Sequence, residues 1–225
     1  MNTVEQQIIT QIIQGKYSIH EPLVSERELA KVFGVGRPTI REALKQLEGD
    51  GWVTVRKGKP PLVKDFWREG NLHTIANIIN ISGEVPNAFI VYLLQLRSVI
   101  TPVIIREAIE HQRIHVVSLL SSIDSLDDTP DTYAQFDWKF HKGIAELSSN
   151  PLYLLLLNHL DSMYVKCIKV YYQETKVRKA TSEYYQELID LALNGNGKAA
   201  ESLVKKTMVE SMNDWKQLNA LITHS

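Results

Sequence analysis

Residues 25–60 read SERELAKVFGVGRPTIREALKQLEGDGWVTVRKGKP, and this stretch decides the fold. Ser25, followed three residues later by Glu28, is a capping box, in which the two residues satisfy each other's free backbone N–H at a helix start. Leu29, Val32 and Phe33 then fall on one face of that first helix. Gly34 stands where the chain must turn sharply, and glycine tolerates the left-handed dihedrals such turns use. Pro38 suits the first turn of a second helix, where its missing N–H removes no hydrogen bond. Ile40, Ala43, Leu44 and Leu47 recur at spacings of three and four and predict that helix's buried stripe. Gly49 and Gly51 mark its exit. Trp52, Val53, Thr54 and Val55 are good strand formers, and Arg56-Lys57-Gly58-Lys59 makes a basic turn before a second strand, Leu62-Val63-Lys64. Helix, turn, basic helix, strand and charged hairpin is the order of a winged helix-turn-helix, which lays its second helix in the DNA major groove.

The residues off the buried stripe fit that expectation. Arg37, Thr39 and Arg41 lie near the start of the second helix, where recognition helices meet base edges. Arginine can donate two parallel hydrogen bonds to guanine O6 and N7 and so specify a base. Lys59, like other lysines and backbone N–H groups, serves phosphate oxygens and fixes register. Gly58 at the tip of the wing allows close approach to a groove.

Composition bounds the rest. A chain of 225 residues suits two domains, each with its own core. No apolar run is expected to reach the length of a membrane span, and MNTVEQQII lacks the pattern of a secretory signal. Cys167 is the single cysteine, which excludes an intramolecular disulfide or a multi-cysteine zinc site and fits a reducing cytoplasm. The formal net charge is −1, but residues 1–66 carry ten Lys or Arg against eight Asp or Glu, and the remainder fifteen against eighteen. DNA affinity must then come from a local patch, including Arg27, Arg37, Arg41, Lys57 and Lys59. One small patch gives limited affinity, so a homodimer reading paired half-sites of a double-stranded operator is expected.

Before the motif, Val4, Ile8, Ile9, Ile12 and Ile13 predict an amphipathic helix ended by Gly15. After it, strand signals stop. The pattern predicts helices over 71–81, 86–111, 113–125, 130–148, 151–174, 180–194 and 197–221, with breaks at Gly83 and Pro86, at Pro130, at Asn150-Pro151 and at 194–197. Pro102 is expected to kink the second of these. The organisation is thus a winged helix-turn-helix domain over 1–66, a junction over 67–75 and an all-helical domain over 76–225. The fold class is mainly α with a small β wing, and a helical bundle offers its interior as a ligand pocket.

A winged head in these words, followed by a helical domain of this length, resembles the GntR family of bacterial transcription regulators. The likeness rests on residues 24–60. It is nearest to the subgroup controlling fatty-acid metabolism, through DFW at 65–67, SNPLY at 149–153, Glu210-Ser211 and Trp215. The resemblance implies operator contacts at Arg27, Arg37, Thr39 and Arg41, with Lys57 and Gly58 entering the minor groove. Gly36 and Pro38 stand where that subgroup has hydroxyl side chains that help read the site. It implies no cofactor and a long-chain fatty acyl-CoA effector, with Arg97, Tyr171, Thr207, Ser211 and Trp215 at or near the pocket. Thr207 and Met208 replace a tyrosine and a glycine there.

Other relatives hold a divalent metal on an Asp-x3-His pair plus two later histidines and bind small carboxylates on it. Asp137 and His141 match the pair, but no later histidine follows, so they remain weak metal candidates and a second effector reading. An enzyme acting on a thioester is a third. No serine elbow, carboxylate pair or cysteine–histidine arrangement supports catalysis, so no enzyme is expected.

Overall fold

The computed structural model describes residues 3–80, 85–158 and 160–222, so the break expected at Gly83 lies outside the described residues. The chain divides into two compact units, Met1–Pro86 and Asn87–Ser225. In the first, α1 (Val4–Ile13), α2 (Glu26–Phe33) and α3 (Arg37–Gly49) precede two short antiparallel strands, β1 (Val53–Thr54) and β2 (Leu62–Val63). The strands pair Val53 with Val63 and Thr54 with Leu62, and Pro22 bridges to Leu62 on the other side. The local rules hold. Ser25 and Glu28 form the reciprocal capping box, Gly34 is left-handed at φ 65°, and Pro38 sits in the first turn of α3. Ile8, Ile9 and Ile12 of α1 join Leu29, Ile40, Ala43, Leu44 and Leu47 in the buried core. Val32 differs from expectation: its side chain is 64% exposed, because the short α2 buries only Leu29 fully.

The expected junction is itself structured. Two further helices, α4 (Phe66–Glu69) and α5 (Leu72–Ile79), belong to the first unit. Phe66 packs on the buried Trp52 with ring centroids 4.8 Å apart. Asn71 Nδ2 donates to the Gly49 carbonyl at 2.9 Å, and the Thr74 hydroxyl donates to the Asp50 carbonyl at 2.6 Å. Gly51 (φ 85°) and Gly70 let the two backbones meet: a Cβ on Gly70 would lie 2.3 Å from the Phe66 carbonyl oxygen. The packing boundary therefore falls at Pro86, beyond the expected 66–75.

The second unit comprises α6 (Asn87–Leu120), a 3-10 turn (Ile123–Ser125), α7 (Pro130–Leu147), α8 (Pro151–Leu157), α9 (Asp161–Tyr171), α10 (Thr175–Leu193) and α11 (Gly197–Ile222). Its core gathers Ile105, Ile109, Val116 and Leu120 of α6 with Phe140 and Ile144 of α7, Tyr185 and Leu188 of α10, and Val204 of α11. By length and composition the Asn87–Ser125 segment is apolar enough to cross a membrane, contrary to the reading that no run is. α7, α10 and α11 pack along this helix, which buries Ile104, Ile105, Ile109, Val116 and Leu120, while Tyr92, Leu96 and Val99 stay exposed and only 28% of its most apolar window is buried. The non-helical dihedrals inside α6 fall at Gln112 (φ −141°, ψ 37°), at the break expected between 111 and 113 and well past Pro102. The helix expected over 151–174 is two, because a run of leucines satisfies helical periodicity on any face and hides the turn after Leu157. α10 begins at Thr175, five residues before the expected start. Arg178 holds that start by donating to the Tyr172 and Gln173 carbonyls that end α9.

Candidate DNA-binding face and effector cavity

On the first unit, α3 presents its stripe inward and its cations outward. The side chains of Arg37 and Arg41 are 58% and 63% exposed, one turn apart, and Glu26 of α2 reaches both. Arg41 Nε donates to Glu26 Oε2 at 2.9 Å, and Arg37 Nη2 lies 4.0 Å from the same oxygen. Arg27, Gly36, Pro38 and Thr39 are exposed beside them. Gly36 is the N-cap of α3, and no side chain caps it; nor does any acidic residue occupy the first turn. The first N–H groups of α3 therefore point outward without a side-chain acceptor, an arrangement suited to phosphate. Gly36 has an ordinary φ of −67° and room for a Cβ, so neither turn geometry nor crowding demands glycine there. Lys57, Gly58 (φ 72°) and Lys59 form an exposed wing turn, whose base is held by Glu48 accepting from the Val55 N–H at 2.7 Å.

The second unit encloses an apolar cavity of about 140 Å³ between α6, α7, α8, α9 and α11. Leucines and isoleucines make most of its wall, with Trp138, Met163, Cys167 and Trp215. Leu96 and Leu156 line it and are also 50% and 45% exposed, so they form its mouth, and α8 buries none of its residues fully. Arg97 reaches both this cavity and a polar chamber of about 20 Å³, whose walls include Tyr171, Thr207 and Ser211. Four of the five expected effector residues thus share the chamber. Trp215 stands apart in the larger cavity, its indole N–H donating to Asn87 Oδ1 at 2.9 Å. Cys167 is half-buried against the cavity, and burial raises its thiol pKa.

Asp137 and His141 are buried beside each other at 3.6 Å, and Arg97 contacts both. Tyr164 donates to Asp137 Oδ2 at 2.6 Å, while Tyr185 and Tyr172 donate to Oδ1 at 2.6 and 3.1 Å. Burial alone would raise the carboxyl pKa, but attraction from His141 and Arg97 and the Tyr164 hydrogen bond hold it well below the usual range. Burial and the positive charge of Arg97 hold the His141 imidazole below its ordinary value, against the pull of Asp137. An arginine donates to His141 Nε2, which must then be the unprotonated acceptor nitrogen. This donor set does not fit a metal ion. The lone pairs a cation would need are taken by three tyrosines and a guanidinium, and no cluster of three His, Cys, Asp or Glu exists among the described residues. The three tyrosines that bond Asp137, Tyr164, Tyr172 and Tyr185, escaped sequence reading, because they come from α9 and α10 and only packing brings them to α7.

A winged helix-turn-helix head followed by a helical domain that encloses a cavity is the architecture of a transcription regulator. Residues 1–63 match the model of the bacterial regulatory proteins of the gntR family, and residues 64–225 match that of the FadR C-terminal domain. The chain belongs to the GntR family of transcription regulators, with a FadR-type C-terminal domain. It is 31% and 32% identical over 214 residues to the fatty acid metabolism regulator proteins of Shewanella amazonensis and Shewanella baltica, covering 95% of this chain and 89% and 90% of theirs. Among solved structures it resembles Lar, described as controlling expression of the Listeria monocytogenes agr system, with a TM-score of 0.60 at 16% identity over 96% of this chain and 95% of that one. That likeness concerns the fold.

Proposed function

We propose that this regulator binds a double-stranded operator as a cytoplasmic homodimer and controls fatty-acid metabolism genes, and that a long-chain fatty acyl-CoA in the bundle cavity modulates its operator affinity. Arg27, Gly36, Arg37, Pro38, Thr39 and Arg41 meet the major groove, and Lys57, Gly58 and Lys59 meet the minor groove and phosphates. The observation that carries the effector assignment is the apolar cavity in which Arg97 is the one charged side chain among the described lining residues. Such a wall accepts methylenes and offers a single cationic group to a polar head. A cavity of this size resembles one that takes benzene, so a long chain enters fully only as α8 moves aside. That movement supplies the differential affinity by which a ligand shifts a conformational equilibrium. The names of the curated relatives support the same metabolic role. No catalytic step is assigned to any residue.

Gel shifts on an operator selected from random DNA test the reading. Palmitoyl-CoA should weaken binding by at least about tenfold, a differential of about 1.4 kcal/mol between the two states. Zinc with a dicarboxylate should leave binding unchanged, and the reverse pattern would move the effector to Asp137 and His141.

A further inference from the structure

We propose that Arg97 Nε and the Tyr184 hydroxyl jointly form a site for one neutral carbonyl oxygen, which in the acyl-CoA reading above is that of the thioester. Arg97 and Tyr184 both line the small polar chamber, and Arg97 Nε and the Tyr184 hydroxyl are buried donors that find no protein partner. Their neighbours are satisfied: Tyr172 and Tyr185 donate to Asp137, and Tyr171 donates to Ser211 Oγ at 3.4 Å and Asp214 Oδ2 at 3.3 Å. Unpaired buried donors are uncommon in native proteins, and two on residues that line one chamber point to a shared acceptor.

The chemistry of that acceptor follows from its surroundings. Guanidinium Nε–H can only donate, so its partner must accept. A carbonyl oxygen has two lone pairs and can take Nε–H and the phenol O–H together. A carboxylate fits badly, because Asp137 lies 3.6 Å from Arg97, forms part of the same wall and already balances its charge. The chamber holds about one oxygen-sized group. Arg97 and Ile168 line both the chamber and the apolar cavity, so a chain lying in the cavity can turn its carbonyl past the guanidinium. Tyr184 thereby becomes a specificity residue, reading the ester-type oxygen and not the methylenes.

The test is calorimetric titration of the full-length chain with palmitoyl-CoA and with its thioether analogue, S-hexadecyl-CoA, which lacks the carbonyl oxygen. Wild type should bind the thioester about tenfold more tightly, the worth of one or two buried hydrogen bonds. Tyr184→Phe removes only the hydroxyl, so the thermal midpoint should hold or rise, while the thioester loses most of its advantage and the thioether binds as before. Equal preference for the thioester in wild type and Tyr184→Phe would overturn the carbonyl site while leaving acyl-CoA as effector. Failure of wild type to bind either compound would remove the acyl-CoA reading and this site with it.

Discussion

Arg41 on the outer face of α3 is tied to Glu26 of α2 by a 2.9 Å hydrogen bond, so the base-reading candidate is held in place by an acid on the neighbouring helix. Both side chains are solvent-accessible, and an exposed pair of this kind adds little stability. Its effect is on orientation and on the local potential. Arg41→Ala should cost about 1–3 kcal/mol of specific affinity and relax preference at one base position. Glu26→Gln should raise affinity for all sequences and narrow the ratio of specific to non-specific binding. Competition gel shifts against random DNA read both, and an unchanged ratio in either variant would contradict the assignment.

Lys59 behaves differently if it serves phosphate. Lys59→Ala should weaken every sequence alike and reduce the slope of log affinity against log salt by about one unit. A loss confined to the best site would mean that the wing reads bases.

The head extends through α5 because Asp50, the C-cap of α3, is gripped from it. Asn77 Nδ2 donates to Asp50 Oδ2 at 2.8 Å, and Thr74 holds the Asp50 carbonyl. Asn77→Ala should destabilise the first unit by about 1–3 kcal/mol, the cost of an unmet buried acceptor. Gly70→Ala should also lower its unfolding midpoint through the Phe66 clash. Denaturant curves on the full chain measure both; wild-type midpoints would show the α5 contacts to be incidental.

How far this was legible from the chain alone depended on whether the rule was local. The Ser25–Glu28 box, Gly34, Pro38 and the Ile40–Leu47 stripe are short-range signals, and each appears where expected. Val32 misled because helix periodicity cannot tell a core from the margin of a short helix. The α5 grip was invisible because Asp50 and Asn77 are far apart in sequence. In the bundle, Asp137 and His141 stood out as a pair, but the group that occupies them, Arg97, comes from another helix. Tyr164, Tyr172, Tyr184 and Tyr185 stand in no sequence motif, and only packing reveals that three of them serve one carboxylate.

That buried network predicts a two-stage loss of stability in acid. His141 titrates below its unfolded value of about 6.5, so the unfolded chain takes the proton first and stability falls as pH drops below that value. Asp137 is held below its unfolded value of about 3.9, so its contribution is complete above that pH and is lost beneath it. His141→Gln should flatten the first stage. Asp137→Asn should flatten the second and cost about 3–5 kcal/mol at neutral pH by leaving Arg97 buried without its counter-charge. Denaturant midpoints between pH 7.5 and 3 measure this, and identical slopes in wild type and both variants would refute it.

The most direct test joins the cavity to the operator. Fluorescence anisotropy of labelled operator would be followed for wild type and for Leu157→Trp, which fills the cavity from α8. Wild type should lose at least about tenfold in operator affinity with palmitoyl-CoA, while Leu157→Trp should bind DNA normally and ignore the ligand. An equal response in the two proteins, or none in wild type at any acyl chain length, would contradict control of the DNA-binding head through this cavity.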